Sequence, residues 1–103
     1  MAEFKITGRL SVDGLRNQFK KTYGLTLRVY KGSKFADGKA TLASLSDKKV
    51  EDFECSGNLM VGNFEKRFEN ATGLKVQVAT GDDKSLVKDD LTLSKAQSMF
   101  SEK

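Results

Sequence analysis

Histidine, proline and tryptophan are absent from this sequence of 103 residues, and cysteine occurs once. Without histidine there is no imidazole general base, no Ser-His-Asp or Cys-His catalytic site and no imidazole metal ligand. The single thiol, Cys55, forms no intramolecular disulfide and no cysteine-rich zinc site. It sits among alternating apolar residues and reads as a small buried hydrophobe. Sites built from oxygen ligands alone stay open. Long apolar runs are missing too. No window approaches the roughly 18 apolar residues of a membrane-spanning helix. The stretch from Met1 to Ser11 lacks the apolar segment of a secretory signal. The expected setting is the reducing cytoplasm, where the sequon Asn70-Ala71-Thr72 carries no glycan.

What is present is ordinary for a globular domain: 38% hydrophobic residues, 31% charged residues and nine glycines. The length suits one domain over 1–103. The most informative feature is internal similarity. Shifted by 49 positions, Phe4, Gly8, Leu10, Val12, Phe19, Gly24, Leu25, Val29 and Gly32 meet Phe53, Gly57, Leu59, Val61, Phe68, Gly73, Leu74, Val78 and Gly81. These are nine identities in 29 ungapped pairs, and two further positions of offset bring Thr41-Leu42 onto Thr92-Leu93. The pattern predicts two similar half-repeats, about 3–46 and 52–101.

Each half reads alike. Phe4, Ile6, Gly8 and Leu10 alternate with polar residues, the period of a half-buried strand. Val12, Leu15 and Phe19 recur at helical spacing, with Asp13 as expected cap and Gly24 as the stop. Leu25, Leu27 and Val29 give a second strand, Lys31 to Lys39 a polar loop, and 41–45 a short helix. In the second half the strands fall at Phe53–Gly57 and Leu74–Val78. The helices run over Phe64–Ala71 and Leu93–Phe100, the latter capped by Thr92 or Asp90. The expectation is an α+β fold of two tandem strand-helix-strand units, each followed by a short helix. They would form a ferredoxin-like or related pseudo-symmetric sandwich. The alternative is a β-grasp-like or other two-repeat sheet with Lys84–Lys88 as a further strand. Gly8 and Gly57 occupy equivalent inward strand positions. A close helix approach or a bulge explains both, and a ligand slot is the other reading.

Charge is uneven. Residues 1–51 carry eleven Lys/Arg and five Asp/Glu, and residues 52–103 carry seven and nine. On a ferredoxin-like sheet the open face would gather Arg9, Arg28 and Tyr30, with Lys31, Lys34 and Phe35 in the following loop. These six residues are the candidate partner-binding set. A basic strip with aromatics suits phosphate contact and base stacking, though the strands expected at the centre show no outward aromatic. Phe35 aligns with Leu86 and is also expected as an apolar loop anchor.

Gly32 to Thr41 approaches the phosphate-binding P-loop. It has five residues between its glycines instead of four, and Ala40 follows Lys39 where the motif needs Ser or Thr. Asp82, Asp83, Asp89 and Asp90 flank one loop and read as solvated charges rather than a cation site. No cofactor, metal site or catalytic group is expected, so the chain reads as non-enzymatic. The leading expectation is a small cytoplasmic binding or regulatory module whose partner is a protein or a second copy. The alternative is a nucleic-acid-binding protein using the basic face.

Overall fold

The computed structural model describes residues 4–101. The side chain of Phe4, and the ends of the expected 1–103 domain, lie outside the described residues. In chain order the elements are β1 (Phe4–Ile6), α1 (Val12–Tyr23), β2 (Thr26–Lys31), β3 (Lys34–Phe35), α2 (Leu42–Leu45), β4 (Phe53–Cys55), α3 (Val61–Thr72), β5 (Lys75–Ala79) and α4 (Leu93–Phe100). The protein is α+β, with two antiparallel sheets, β1-β4 and β3-β2-β5. Among the described residues no helix is long and apolar enough to cross a membrane.

Local chemistry explains the two long helices. Ser11 caps α1 by accepting from Gly14 N–H at 3.0 Å; Asp13, the expected cap, lies in the first turn, where its charge suits the helix dipole. Gly24 and Gly73 end α1 and α3 at φ of 70° and 76°, a left-handed conformation that glycine adopts without strain. Val12, Leu15, Phe19 and Tyr23 form the buried stripe of α1. Val61, Phe64, Phe68 and Ala71 form that of α3. Phe19 and Phe64 stack across the two helices with centroids 5.5 Å apart, so one apolar cluster takes residues from both halves. Cys55 is fully buried in it, 3.4 Å from the Tyr23 hydroxyl.

The ferredoxin-like arrangement requires correction. It would interleave all four main strands in one sheet. Instead β1 pairs with β4, and β2 pairs with β5, in separate sheets. The cause lies just after β1 and β4. The Gly8 carbonyl accepts from Ala43 N–H at 3.0 Å and the Gly57 carbonyl accepts from Ser94 N–H at 2.9 Å, so each chain turns aside to receive a short helix. A Cβ on Gly8 would stand 3.2 Å from Ala43 Cβ and 3.3 Å from Val50 Cβ, which is the close helix approach expected there. Among the described residues β1 and β4 run for three residues each before that turn.

Several contacts recur in both halves. Val12 N–H donates to Ala40 O at 2.9 Å, and Val61 N–H to Leu91 O at 2.7 Å. Leu42 N–H donates to Leu10 O, and Leu93 N–H to Leu59 O, both at 2.9 Å. The loops behind them also press on the starts of α1 and α3, with one exchange. Asp13 N–H donates to Gly38 O, and Gly62 N–H donates to Asp89 O. A Cβ on Gly38 would overlap the Asp13 carboxylate, and a Cβ on Gly62 would lie 2.9 Å from Asp89 Cβ. Each close approach has one glycine and one aspartate, and the two residues have traded places.

Candidate functional site

The larger sheet carries the candidate residues. Its inner face, Leu27 and Val29 with Val76 and Val78, is buried. Because side chains alternate, Thr26, Arg28 and Tyr30 share the outer face with Ala79, Gln77 and Lys75, their cross-strand partners. The stretch expected as a polar loop opens with a hairpin. Gly32, at φ 65°, starts a two-residue turn, and Lys34-Phe35 returns as β3 with Tyr30 opposite Phe35. The Tyr30 and Phe35 rings stack at 5.0 Å and 19°. Tyr30 Oη donates to Gln77 Oε1 at 2.8 Å, which fixes the inner ring of the pair. Phe35 stays 67% exposed, and Leu86, its counterpart, 49%. Phe35 is therefore not the expected loop anchor, since it lies on the outermost strand β3, while Leu86 sits outside the strands and bridges Ala79 of β5.

Arg28, in contrast, is engaged. Its Nε meets Asp83 Oδ1 at 2.8 Å, and a second guanidinium nitrogen donates to the Asp83 carbonyl at 3.0 Å. The carboxylate hydrogen bond holds the guanidinium pKa above its already high ordinary value. Asp83 reaches this position with φ of 60°, a left-handed turn that aspartate tolerates. Its loop is tied down on three sides. Asp82 accepts from Thr80 Oγ1 at 2.6 Å and from Lys84 N–H at 3.2 Å, which lowers the Asp82 pKa. Gly81 N–H donates to Phe100 O at 2.9 Å, and Gly81 O accepts from Thr26 Oγ1 at 3.3 Å and from Lys20 Nζ. The loop thus folds over the Thr26 end of the outer face and leaves the Tyr30–Phe35 end open.

The six candidates therefore do not form one site. Arg28, Tyr30 and Phe35 are brought together, with Lys31 and Lys34 opposite each other at the hairpin end. Lys31 also faces Asp47 at 3.4 Å, a pair whose exposure makes it weak. Arg9 lies apart, beyond β1, in an open depression of about 930 Å³ with Lys48, Lys49 and Asp52. There Lys48 Nζ already donates to Asn70 O at 2.6 Å. The Gly32–Thr41 segment forms the hairpin turn, β3 and the connector to α2. Among the described residues no three of Cys, Asp and Glu converge to hold a cation.

Two side chains that the sequence reading left aside complete the sheet edges. Arg16 of α1 donates from Nε to the Leu27 carbonyl at 2.9 Å, and Glu65 of α3 accepts from Val78 N–H at 3.0 Å. They are equivalent positions of the two helices, each answering an edge backbone group of opposite polarity. Burial raises the Glu65 pKa above 4.5, and nearby Asp89 adds to it, against the Val78 bond and Lys75. A carboxyl with a raised folded pKa takes up its proton more readily when folded. Its ionised form therefore costs stability at neutral pH, and that cost is relieved as pH falls through the raised value toward 4.5. Glu65→Gln keeps an acceptor for Val78 N–H. In urea melts its stability at pH 7 should equal or exceed that of the parent, and the gap should close on acidification. A loss at pH 7 that persists at pH 4 would contradict this account. Comparison with protein-family models, with curated proteins and with solved structures found no match to this chain.

Proposed function

We propose that this chain is a small non-catalytic binding module that takes a protein partner by strand addition at the β3 edge. The observation that carries the reading is Phe35: a large apolar ring, 67% exposed, braced by Tyr30 on an outermost strand. An exposed edge offers unpaired backbone groups for a further strand, and an adjacent aromatic supplies a side-chain anchor. Residues 31–39 carry three lysines and one aspartate. The fitting partner is therefore an extended segment that alternates apolar and acidic residues. A cytoplasmic setting belongs to the same reading, since a chain with one buried cysteine carries no disulfide framework of its own. We also read the two halves as copies of one ancestral unit. The matched backbone bonds and the exchanged Gly–Asp contacts support that reading.

The nucleic-acid alternative is weakened by charge already spent inside the fold. Arg28 is held by Asp83, and Arg9 is on another surface, so the basic candidates do not gather on one face. A displayed library of random extended peptides, selected on the native chain and counter-screened on Phe35→Asp, tests the choice. Enrichment of acidic-apolar peptides that Phe35→Asp no longer binds is expected. The reading fails if no Phe35-dependent peptide emerges. Micromolar binding of single-stranded RNA at physiological salt, falling steeply as salt rises and lost in Arg28→Glu, would put the alternative in its place.

A further inference from the structure

We infer that a second copy of this chain is itself a partner for the β3 edge, joined head to tail, with the Phe35 edge of one molecule pairing with the Leu86 edge of the next. The inference rests on the strand-addition reading above and names the occupant. Leu86 bridges Ala79 in antiparallel fashion, so the large sheet effectively runs β3, β2, β5 and then the Leu86 segment. Thr80 N–H donates to Ser85 O at 2.8 Å and Val87 N–H to Val78 O at 2.9 Å, on either side of the Ala79–Leu86 pair. In such a pair the bridging residue directs its own N–H and C=O away from its neighbour strand. At the opposite edge Ala36 N–H donates to Val29 O at 2.9 Å beside the Tyr30–Phe35 pair, in the same pattern. Phe35 and Leu86 therefore turn their backbone groups outward. Among the described residues neither edge has a further backbone partner.

Direction and charge then select the arrangement. Successive strands across the sheet are antiparallel, so the two outer segments run antiparallel to each other. A neighbour placed by translation sets its Leu86 segment antiparallel to β3, where Phe35 and Leu86 exchange two hydrogen bonds. Tyr30 and Ala79 lie on the outer face, so their partners Phe35 and Leu86 lie there too and meet side by side. Residues 82–90 hold four aspartates and two lysines, facing the three lysines and one aspartate of 31–39. A two-fold β3–β3 pairing would instead oppose like charges. A head-to-tail contact that leaves both outer edges complementary continues as an open array or closes as a ring.

Sedimentation velocity of the full chain, from low micromolar to near-millimolar concentration, tests this with two edge variants. The native chain should pass beyond dimer mass, without a plateau for an open array or up to one fixed mass above dimer for a ring, and high salt should weaken it. Phe35→Asp and Leu86→Asp, each verified as folded by circular dichroism, should each remain monomeric. An equimolar mixture of the two should form a dimer and nothing larger, because one intact edge of each survives. A Leu86→Asp dimer with no new species on mixing would mean β3–β3 pairing and overturn the proposal. A native chain that is monomeric throughout would also overturn it. Phe35-dependent peptide capture would then still uphold the binding module, and loss of both would remove both.

Discussion

Phe64→Ala should cost about 3–5 kcal/mol, the range for deleting a buried aromatic ring. Phe64 is fully buried, with the Phe19 ring 5.5 Å away, Phe68 6.1 Å and Phe53 6.4 Å. Its removal opens a cavity where α1 and α3 meet, and the neighbouring rings are held by other contacts and close it only in part. Domains of this size have total stabilities of about 5–15 kcal/mol, so the loss is a large share. Phe64→Leu keeps most of the volume and should cost under about 1.5 kcal/mol. Urea denaturation followed by both circular dichroism and Tyr fluorescence provides the measurement. The two signals should move together, because the cluster joins both halves. Separate transitions would show that the halves unfold independently and that the Phe19–Phe64 stack does not couple them.

The exchanged glycine contacts lead to a second large effect. Gly62→Asp alone sets a Cβ within 2.9 Å of Asp89 Cβ and 3.3 Å of the Asp89 carbonyl. It also crowds a third carboxylate beside Asp89 and Glu65. Overpacking together with like-charge repulsion should cost about 3 kcal/mol. Asp89→Gly in the same chain rebuilds the arrangement of Asp13 and Gly38 in the first half. The double variant should return to within about 1 kcal/mol of the parent, a coupling well above the scatter of independent sites. Gly62→Ala separates the steric part. Alanine raises helix propensity by about 1 kcal/mol, so net destabilisation there isolates the close approach. A double variant no more stable than Gly62→Asp would show that the two contacts are not interchangeable and would count against the duplication.

The association proposal and the stability effects meet in the loop that holds Leu86. Its Gly81 N–H is anchored to the end of α4 and its Asp83 to Arg28. Arg28→Glu should therefore loosen the acidic edge. Loss of self-association in that variant alone does not identify Arg28 as a contact, which is why Phe35 and Leu86 are the residues chosen for the test.

The sequence by itself determined the elements. Apolar spacing placed α1 and α3, Gly24 and Gly73 ended them, and Thr41 and Thr92 marked the starts of α2 and α4, because these signals are local to one turn of chain. The hairpin signal Gly32-Ser33 was present too. It was obscured because its flanks, Lys31 and Lys34, are polar, as an edge strand permits. Tertiary structure alone decided which strands pair. The side-chain period is two in any sheet, so the pattern of β2 and β5 is the same whether they neighbour each other or β1 and β4. That choice fell to the two short helices, whose docking on Gly8 and Gly57 cut β1 and β4 to three residues. With it went the candidate site. Arg9 left the face of Arg28, Asp83 crossed 55 positions of sequence to neutralise that arginine, and Phe35 was left exposed on the outermost strand, with Leu86 bridged to Ala79 on the far side of the sheet.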